Sequence, residues 1–246
     1  EGINYKANVW LNGKQIGNSD DLIGMFRRFQ LPVTDALVDG TNVLAIEIIP
    51  PGLLPDIPYR TKQVEATTGW DDHNPQPPDL NMGIWRTVYL KATGALRLEH
   101  PYAVSHLSED LQQADLSFSA FVTNEAKDPL TCLLEADCES ITVAQEIQLA
   151  PGETREVIFG VDQFPELRIQ NPRLWWPHPL GKQERYLLSM SVQVKDATDV
   201  SDRAATHFGI RSATTYINEE DWRGYKINGG NILIRGGAWM TADMLL

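Results

Sequence analysis

The stretch GWDDHNPQPPDLNMGIW (residues 69–85), followed directly by RTVYLKA (86–92), sets the reading of this chain. It gathers Trp70, Asp71, Asp72, His73, Asp79 and Trp85 around Pro75, Pro77 and Pro78. Each proline fixes its own φ, removes a backbone donor and pushes the preceding residue toward extended conformations. Neither a helix nor an unbroken strand survives that spacing. The prolines instead preset a loop, so neighbouring side chains are held at low entropic cost. Asn81-Met82-Gly83 then turns the chain into Ile84–Ala92, an apolar run that reads as a strand.

A rigid loop bearing Trp70, Asp71, Asp72 and His73, beside a strand bearing Trp85, is a place for a polar ligand. Sugars suit it, because aromatic faces stack on pyranose C–H groups and carboxylates accept hydrogen bonds from hydroxyls. A second reading stands beside this one. Tryptophans commonly serve packing, and aspartates commonly bond turn backbone.

Bulk properties narrow the classes. The chain has 246 residues, enough for two domains or one large one. With 42% hydrophobic and 22% charged residues it is ordinary globular material. A net charge of −12, without a basic stripe interleaved with aromatics, argues against nucleic acid as a partner. No apolar run approaches the ~20 residues that span a bilayer. Glu1 is not an initiator methionine, so the sequence reads as a piece of a longer chain. Cys132 and Cys138 are six apart in one predicted strand, hence ~20 Å apart at ~3.3 Å per residue, and are read as free thiols. His73, His100, His106, His178 and His207 show no metal-ligand spacing, and no metal or cofactor is expected.

Taken in order, YKANVWLNG (5–13) is a strand ending in the hairpin signal Asn12-Gly13. Residues 32–38 form a short helix-like turn, and TNVLAIEII (41–49) is another strand. From about residue 94 onward, strands recur at intervals of roughly ten residues: 102–107, 114–124, 130–138, 142–149, 153–160, 186–194 and 204–210. About seven strands in about 115 residues is the size of an immunoglobulin-like sandwich. NPRLWWPHPLGKQ (171–183) places Trp175 and Trp176 at a sandwich edge or a join between domains. Strands 222–227 and 232–235 flank Asn228-Gly229-Gly230-Asn231, and the apolar NILIRGG (231–237) suits a buried strand at the start of a parallel barrel.

The motifs ANVWLNG (7–13), DGTNVLAI (39–46), MGIWRTVYL (82–90), NPRLWWPHPLGKQ (171–183), HFGIR (207–211) and INGGNILIRGGAWMTAD (227–243) occur in this order. Together they resemble the N-terminal part of a glycoside hydrolase of family 2. The resemblance implies an all-β chain. Residues 1–93 would be a jelly-roll sugar-binding domain lacking its first strands. Residues 94–212 would be an immunoglobulin-like β-sandwich, and residues 213–246 the start of a truncated (β/α)8 catalytic barrel. The GWDDHNPQPPD loop is similar to that of exo-β-D-glucosaminidases, and its GWD opening also to that of β-mannosidases. Asp72 departs from the pattern, standing where relatives usually carry tryptophan.

That resemblance implies roles. Asp71 would hydrogen-bond hydroxyls of the terminal sugar, Trp70 would shape the pocket, and Asp72 is the alternative to Asp71. Trp239 and Asp243 would lie just past the first barrel strand, where barrel enzymes place site residues. Packing and helix capping are the competing roles for these two. The implied partners are a β-linked carbohydrate and the rest of the protein's own barrel, with enzymes of this type often acting outside the cytoplasm. Retaining chemistry needs two carboxyl groups ~5–5.5 Å apart, which the family supplies as glutamates on later barrel strands. The chain alone is therefore expected to be inactive. Two alternatives remain at this point: a stand-alone carbohydrate-binding module, or a piece of a β-galactosidase- or β-glucuronidase-type member.

Overall fold

The computed structural model describes residues 2–49 and 82–236, which fall into two compact units dividing between Leu90 and Lys91. Both are built from strands. The expectation of an all-β chain holds.

In the first unit β1 (Ile3–Asn4), β2 (Lys6–Leu11), β3 (Lys14–Gly17), β4 (Leu44–Ile49) and β5 (Gly83–Ile84) follow in chain order. They form a three-stranded sheet in the order β3-β2-β4 and a β1–β5 pair. Along β2 the side chains alternate, burying Ala7, Val9 and Leu11. That is the period of a strand with one face on a core. Ile3, Ala7, Val9 and Leu22 form this core, with Ile46, Ile48 and Ile84 packed against it. Asn12 and Gly13 both have positive φ, as a two-residue hairpin turn twisted to match its strands requires. The turn near residues 32–38 is a single 3-10 turn, Thr34–Ala36.

The strand expected over residues 84–92 is much shorter. Only Gly83–Ile84 joins a ladder, while Val88, Tyr89 and Leu90 are exposed. β-propensity describes fit to a pleated, half-buried surface, and among the described residues nothing pairs with this run.

The second unit is a β-sandwich. Its strands are β6 (Leu96–Leu107), β7 (Gln113–Asn124), β8 (Leu130–Cys138), β9 (Ile141–Leu149), β10 (Thr154–Phe159), β11 (Arg168–Gln170), β12 (Tyr186–Val194) and β13 (Val200–Phe208). One sheet runs β10-β7-β11 with β6 also on β7, and the other runs β13-β12-β8-β9. Every pairing is antiparallel. Phe118, Phe159, Leu98, Leu116, Leu134, Leu188 and Met190 fill the space between the sheets with almost no exposure.

Two differences from the sequence reading have physical causes. Strand β6 starts at Leu96, well before residue 102, and accommodates Pro101 in a bulge. The ladder shifts between Glu99 and Tyr102, and His100 there has a φ of 52°. A bulge is where a strand tolerates a residue without an N–H. Strand β11 is too short to register as a pattern. It pairs Arg168 with Asp115 immediately after a 3-10 turn, Pro165–Leu167.

Cys132 and Cys138 sit near either end of β8, both buried and both free. Burial pushes each thiol pKa up to about 11.

After the sandwich come β14 (Ala213–Ile217), β15 (Arg223–Ile227) and β16 (Gly230–Ile232), paired in that order. The second hairpin turns at Asn228-Gly229 alone, both with positive φ, so its strand begins at Gly230 and closes at Ile232.

Candidate functional site

Trp70, Asp71 and Asp72 lie outside the described residues, as do Trp239 and Asp243. The structure does describe the frame from which the segment 50–81 departs and to which it returns. Ile49, at the end of β4, pairs with Lys6 and accepts a hydrogen bond from the Tyr5 N–H at 3.3 Å. Gly83 pairs with Asn4, and the Trp85 N–H donates to Gly2 O at 3.0 Å. Both feet of the segment are thus tied to one short stretch, Gly2–Lys6.

Trp85 is the best-held side chain at the returning foot. Its indole Nε1–H donates to Met25 O at 3.2 Å. Phe26 meets its ring edge-on at 5.8 Å, and the Arg86 guanidinium lies 4.5 Å from its centroid. Indole donor and π face are both engaged, a common arrangement for a half-exposed tryptophan. Beside it is a cleft of about 100 Å³ lined by Gly2, Met25, Phe26, Arg27, Arg28 and Arg86. That is well below the ~300–1,000 Å³ of an ordinary small-ligand site. Trp85 acts as an anchor where the described chain resumes, with its ring already covered by Arg86.

The second motif region is in the sandwich unit. The Trp175 N–H donates to Ile210 O at 2.9 Å, and the Arg211 guanidinium covers the Trp175 ring at 4.8 Å. Gly209 lies so close to this tryptophan that an added Cβ would fall 2.8 Å from Trp175 Cβ. Asn228 completes the junction. Its Nδ2–H donates to Trp175 O at 3.0 Å, and its Oδ1 accepts from the Ser212 N–H at 2.9 Å. Gly209 and Arg211 from the 207–211 motif and Asn228 from the last motif therefore meet at Trp175. They fasten the β14-β15-β16 hairpins to the edge of the sandwich, so the edge reading of Trp175 describes its surroundings. Asn228 reads from sequence only as a turn residue. Its tethering role leaves no signal in a single sequence beyond Asn-Gly itself. Arg211 is likewise visible only as the end of HFGIR.

Among the described residues no group of three or more His, Cys, Asp or Glu is placed to hold a metal. No helix among them is long and apolar enough to cross a membrane.

A strand-built unit carrying a long inserted segment, followed by a two-sheet sandwich and tethered hairpins, defines a recognisable class. Residues 1–86 match the glycosyl hydrolase 2 galactose-binding domain-like model, and residues 96–211 match the model of glycosyl hydrolases family 2. The chain belongs to glycosyl hydrolase family 2.

Within it, the chain is similar to the exo-β-D-glucosaminidase of Streptomyces avermitilis, at 32% identity over 99% of this chain and 26% of that protein. It is also similar to the mannosylglycoprotein endo-β-mannosidase of Lilium longiflorum, at 33% identity over 99% of this chain and 27% of that protein. Among solved structures, the Amycolatopsis orientalis exo-chitosanase CsxA superposes with a TM-score of 0.81. That match has 29% identity and covers 98% of this chain and 26% of CsxA. A variant of CsxA has been crystallised with PNP-β-D-glucosamine. The chain spans about a quarter of the length of these relatives.

Proposed function

We propose that this chain supplies the sugar-binding domain (1–93), the sandwich (94–212) and the opening of the catalytic barrel (213–246) of an exo-acting, retaining β-glycosidase. Its substrate is a terminal β-linked glucosamine, with mannose as the second candidate. The observation that carries this reading is the end-to-end likeness to exo-β-D-glucosaminidases across both units. The exposure of Leu233 and Ile234 just after β16 (79% and 56%) supports a barrel as the partner of this end, since such apolar residues want cover.

The chain's own contribution is a wall of the substrate pocket. Asp71 accepts hydrogen bonds from hydroxyls of the terminal sugar, Trp70 shapes the pocket beside it, and Asp72 is the nearest alternative. Trp239 and Asp243 contribute from the barrel side. If the sugar is glucosamine, its ammonium adds an attraction to these carboxylates that mannose lacks. The nucleophile and the acid/base are glutamates supplied by later barrel strands, so the chain by itself does not hydrolyse glycosides.

A hydrolysis screen of the full-length enzyme against aryl glucosaminide, mannoside, galactoside and glucuronide tests the class. A charged hydrogen bond contributes ~1.5–3 kcal/mol. Asp71→Ala should therefore lower kcat/KM by roughly ten- to a hundredfold. Unchanged kinetics would remove Asp71 from the site. Turnover by the isolated chain that survives both Asp71→Ala and Asp243→Ala would overturn the assignment of the chemistry to the barrel.

A further inference from the structure

The outer face of the β13-β12-β8-β9 sheet carries a groove of about 500 Å³. Its floor consists of short side chains, Ser189 and Ser191 on β12 with Ala205 on β13. Glu135 and Asp137 of β8 form one wall, and Arg203 of β13 forms the other. Strand alternation explains the layout. Leu134, Ala136, Leu188 and Met190 point into the core, so their neighbours in sequence share the opposite face.

The register makes the groove a regular object. Glu135 is opposite Ser191, and Ser191 is opposite Arg203, in one row across three strands. In the next row Asp137 is opposite Ser189, which is opposite Ala205. The charged walls therefore stand two strand spacings apart, ~10 Å between backbones. Direct cross-strand neighbours of opposite charge would pair, but the serine row keeps these two separate. Among the described residues no hydrogen bond or ion pair engages the side chain of Glu135 or Arg203. On the same unit Arg155, Arg168 and Arg173 are each paired with a carboxylate. Asp137 uses one oxygen to accept from Thr142 Oγ1 at 2.6 Å, and the other stays available.

We propose that this groove is a second carbohydrate-binding site, taking short β-linked glucosamine oligomers with free amino groups, an assignment that rests on the glucosaminidase reading above. The volume falls within the range of ordinary ligand sites. The acidic wall matches sugar ammonium groups through charge-assisted hydrogen bonds. Arg203 donates to hydroxyl oxygens, and the Ser189 and Ser191 hydroxyls and the Gln193 amide exchange hydrogen bonds with the rest. A chain of net charge −12 also draws a polycationic oligomer toward its surface. Held there, a polymeric substrate stays at a raised local concentration between cleavage events.

The test is calorimetric titration of a β-linked glucosamine tetramer into the chain carrying Asp71→Ala, which removes the proposed pocket contact. N-acetylglucosamine and glucose tetramers serve as neutral controls. The aminated tetramer is expected to bind in roughly the millimolar range, and added salt should weaken it. Glu135→Gln with Asp137→Asn should weaken it roughly fivefold or more, and Arg203→Ala should weaken it too. Amide shifts on titration should centre on Ser189, Ser191 and Ala205, a readout independent of the variants. Absence of binding, equal binding of the neutral tetramers, or unchanged affinity in the Glu135/Asp137 variant each overturns the site. The aryl-glycoside screen judges the glucosaminidase reading separately, since that screen reads the barrel and this titration reads the sandwich.

Discussion

Asp202 Oδ2 lies 2.6 Å from Lys91 Nζ and also accepts the Leu98 backbone N–H at 2.7 Å, clamping β13 of one sheet to β6 of the other. The carboxylate is buried, and its second oxygen accepts the Arg203 N–H at 2.8 Å. Removing it would strand the Leu98 N–H in the interior. Asp202→Ala is therefore expected to destabilise the sandwich by about 2–3 kcal/mol. Scanning calorimetry should show its transition several degrees lower, while far-UV dichroism at low temperature stays unchanged. An unshifted transition would mean that water replaces the clamp without loss.

Asn228 separates conformational from hydrogen-bonding effects. Its φ of 48° disfavours most side chains, while its amide ties Ser212 to Trp175. Asn228→Gly keeps the backbone conformation and loses both side-chain bonds, at a cost of about 1–3 kcal/mol. Asn228→Ala adds backbone strain and should be worse. Hydrogen exchange of amides in residues 213–232 should quicken while exchange in β7 and β8 does not.

The two thiols set a limit on the alkaline side. Their folded-state pKa of about 11 exceeds the ordinary ~8.5. The neutral form is favoured by folding. The associated stabilisation is complete below ~8.5 and is lost as pH rises toward 11. Neither thiol should react with an aromatic disulfide reagent in the native state at neutral pH. Labelling should follow unfolding instead, and immediate modification of either would show an exposed thiolate.

On the acid side, Arg168 paired with Asp115 holds that carboxyl below its ordinary value. The Ala150 N–H and Arg155 do the same for Glu153. Depressed values mean that the stabilisation is present above ~4 and disappears as pH falls through the folded-state pKa. Thermal stability should be level from neutrality to about pH 5 and drop below about pH 4. Arg168→Ala should make that drop shallower.

Much of the sandwich could be read from residues alone because its strands alternate cleanly over eight or more positions. Strands β8 and β12 begin and end where the pattern of Leu130–Cys138 and Tyr186–Val194 places them. The failures were local. The first part of β6 lies before a bulge at His100-Pro101 that interrupts the strand's alternation, and the strand expected from sequence began only after it. Ile84–Ala92 looked like a strand because composition records preference but not the presence of a neighbour. The loop frame was harder to see, since the tie between Trp85 and Met25 joins residues sixty apart. The groove between Glu135 and Arg203 depends on register across three strands, which no single segment contains.

The residues on either side of 50–81 are both sewn to Gly2–Lys6, so the two ends of that segment are held at fixed points. Loop closure grows only as the logarithm of length, so each doubling adds ~0.6 kcal/mol. A change in the length of chain joining Ile49 to Met82 is therefore expected to cost little in closure while these two ties hold.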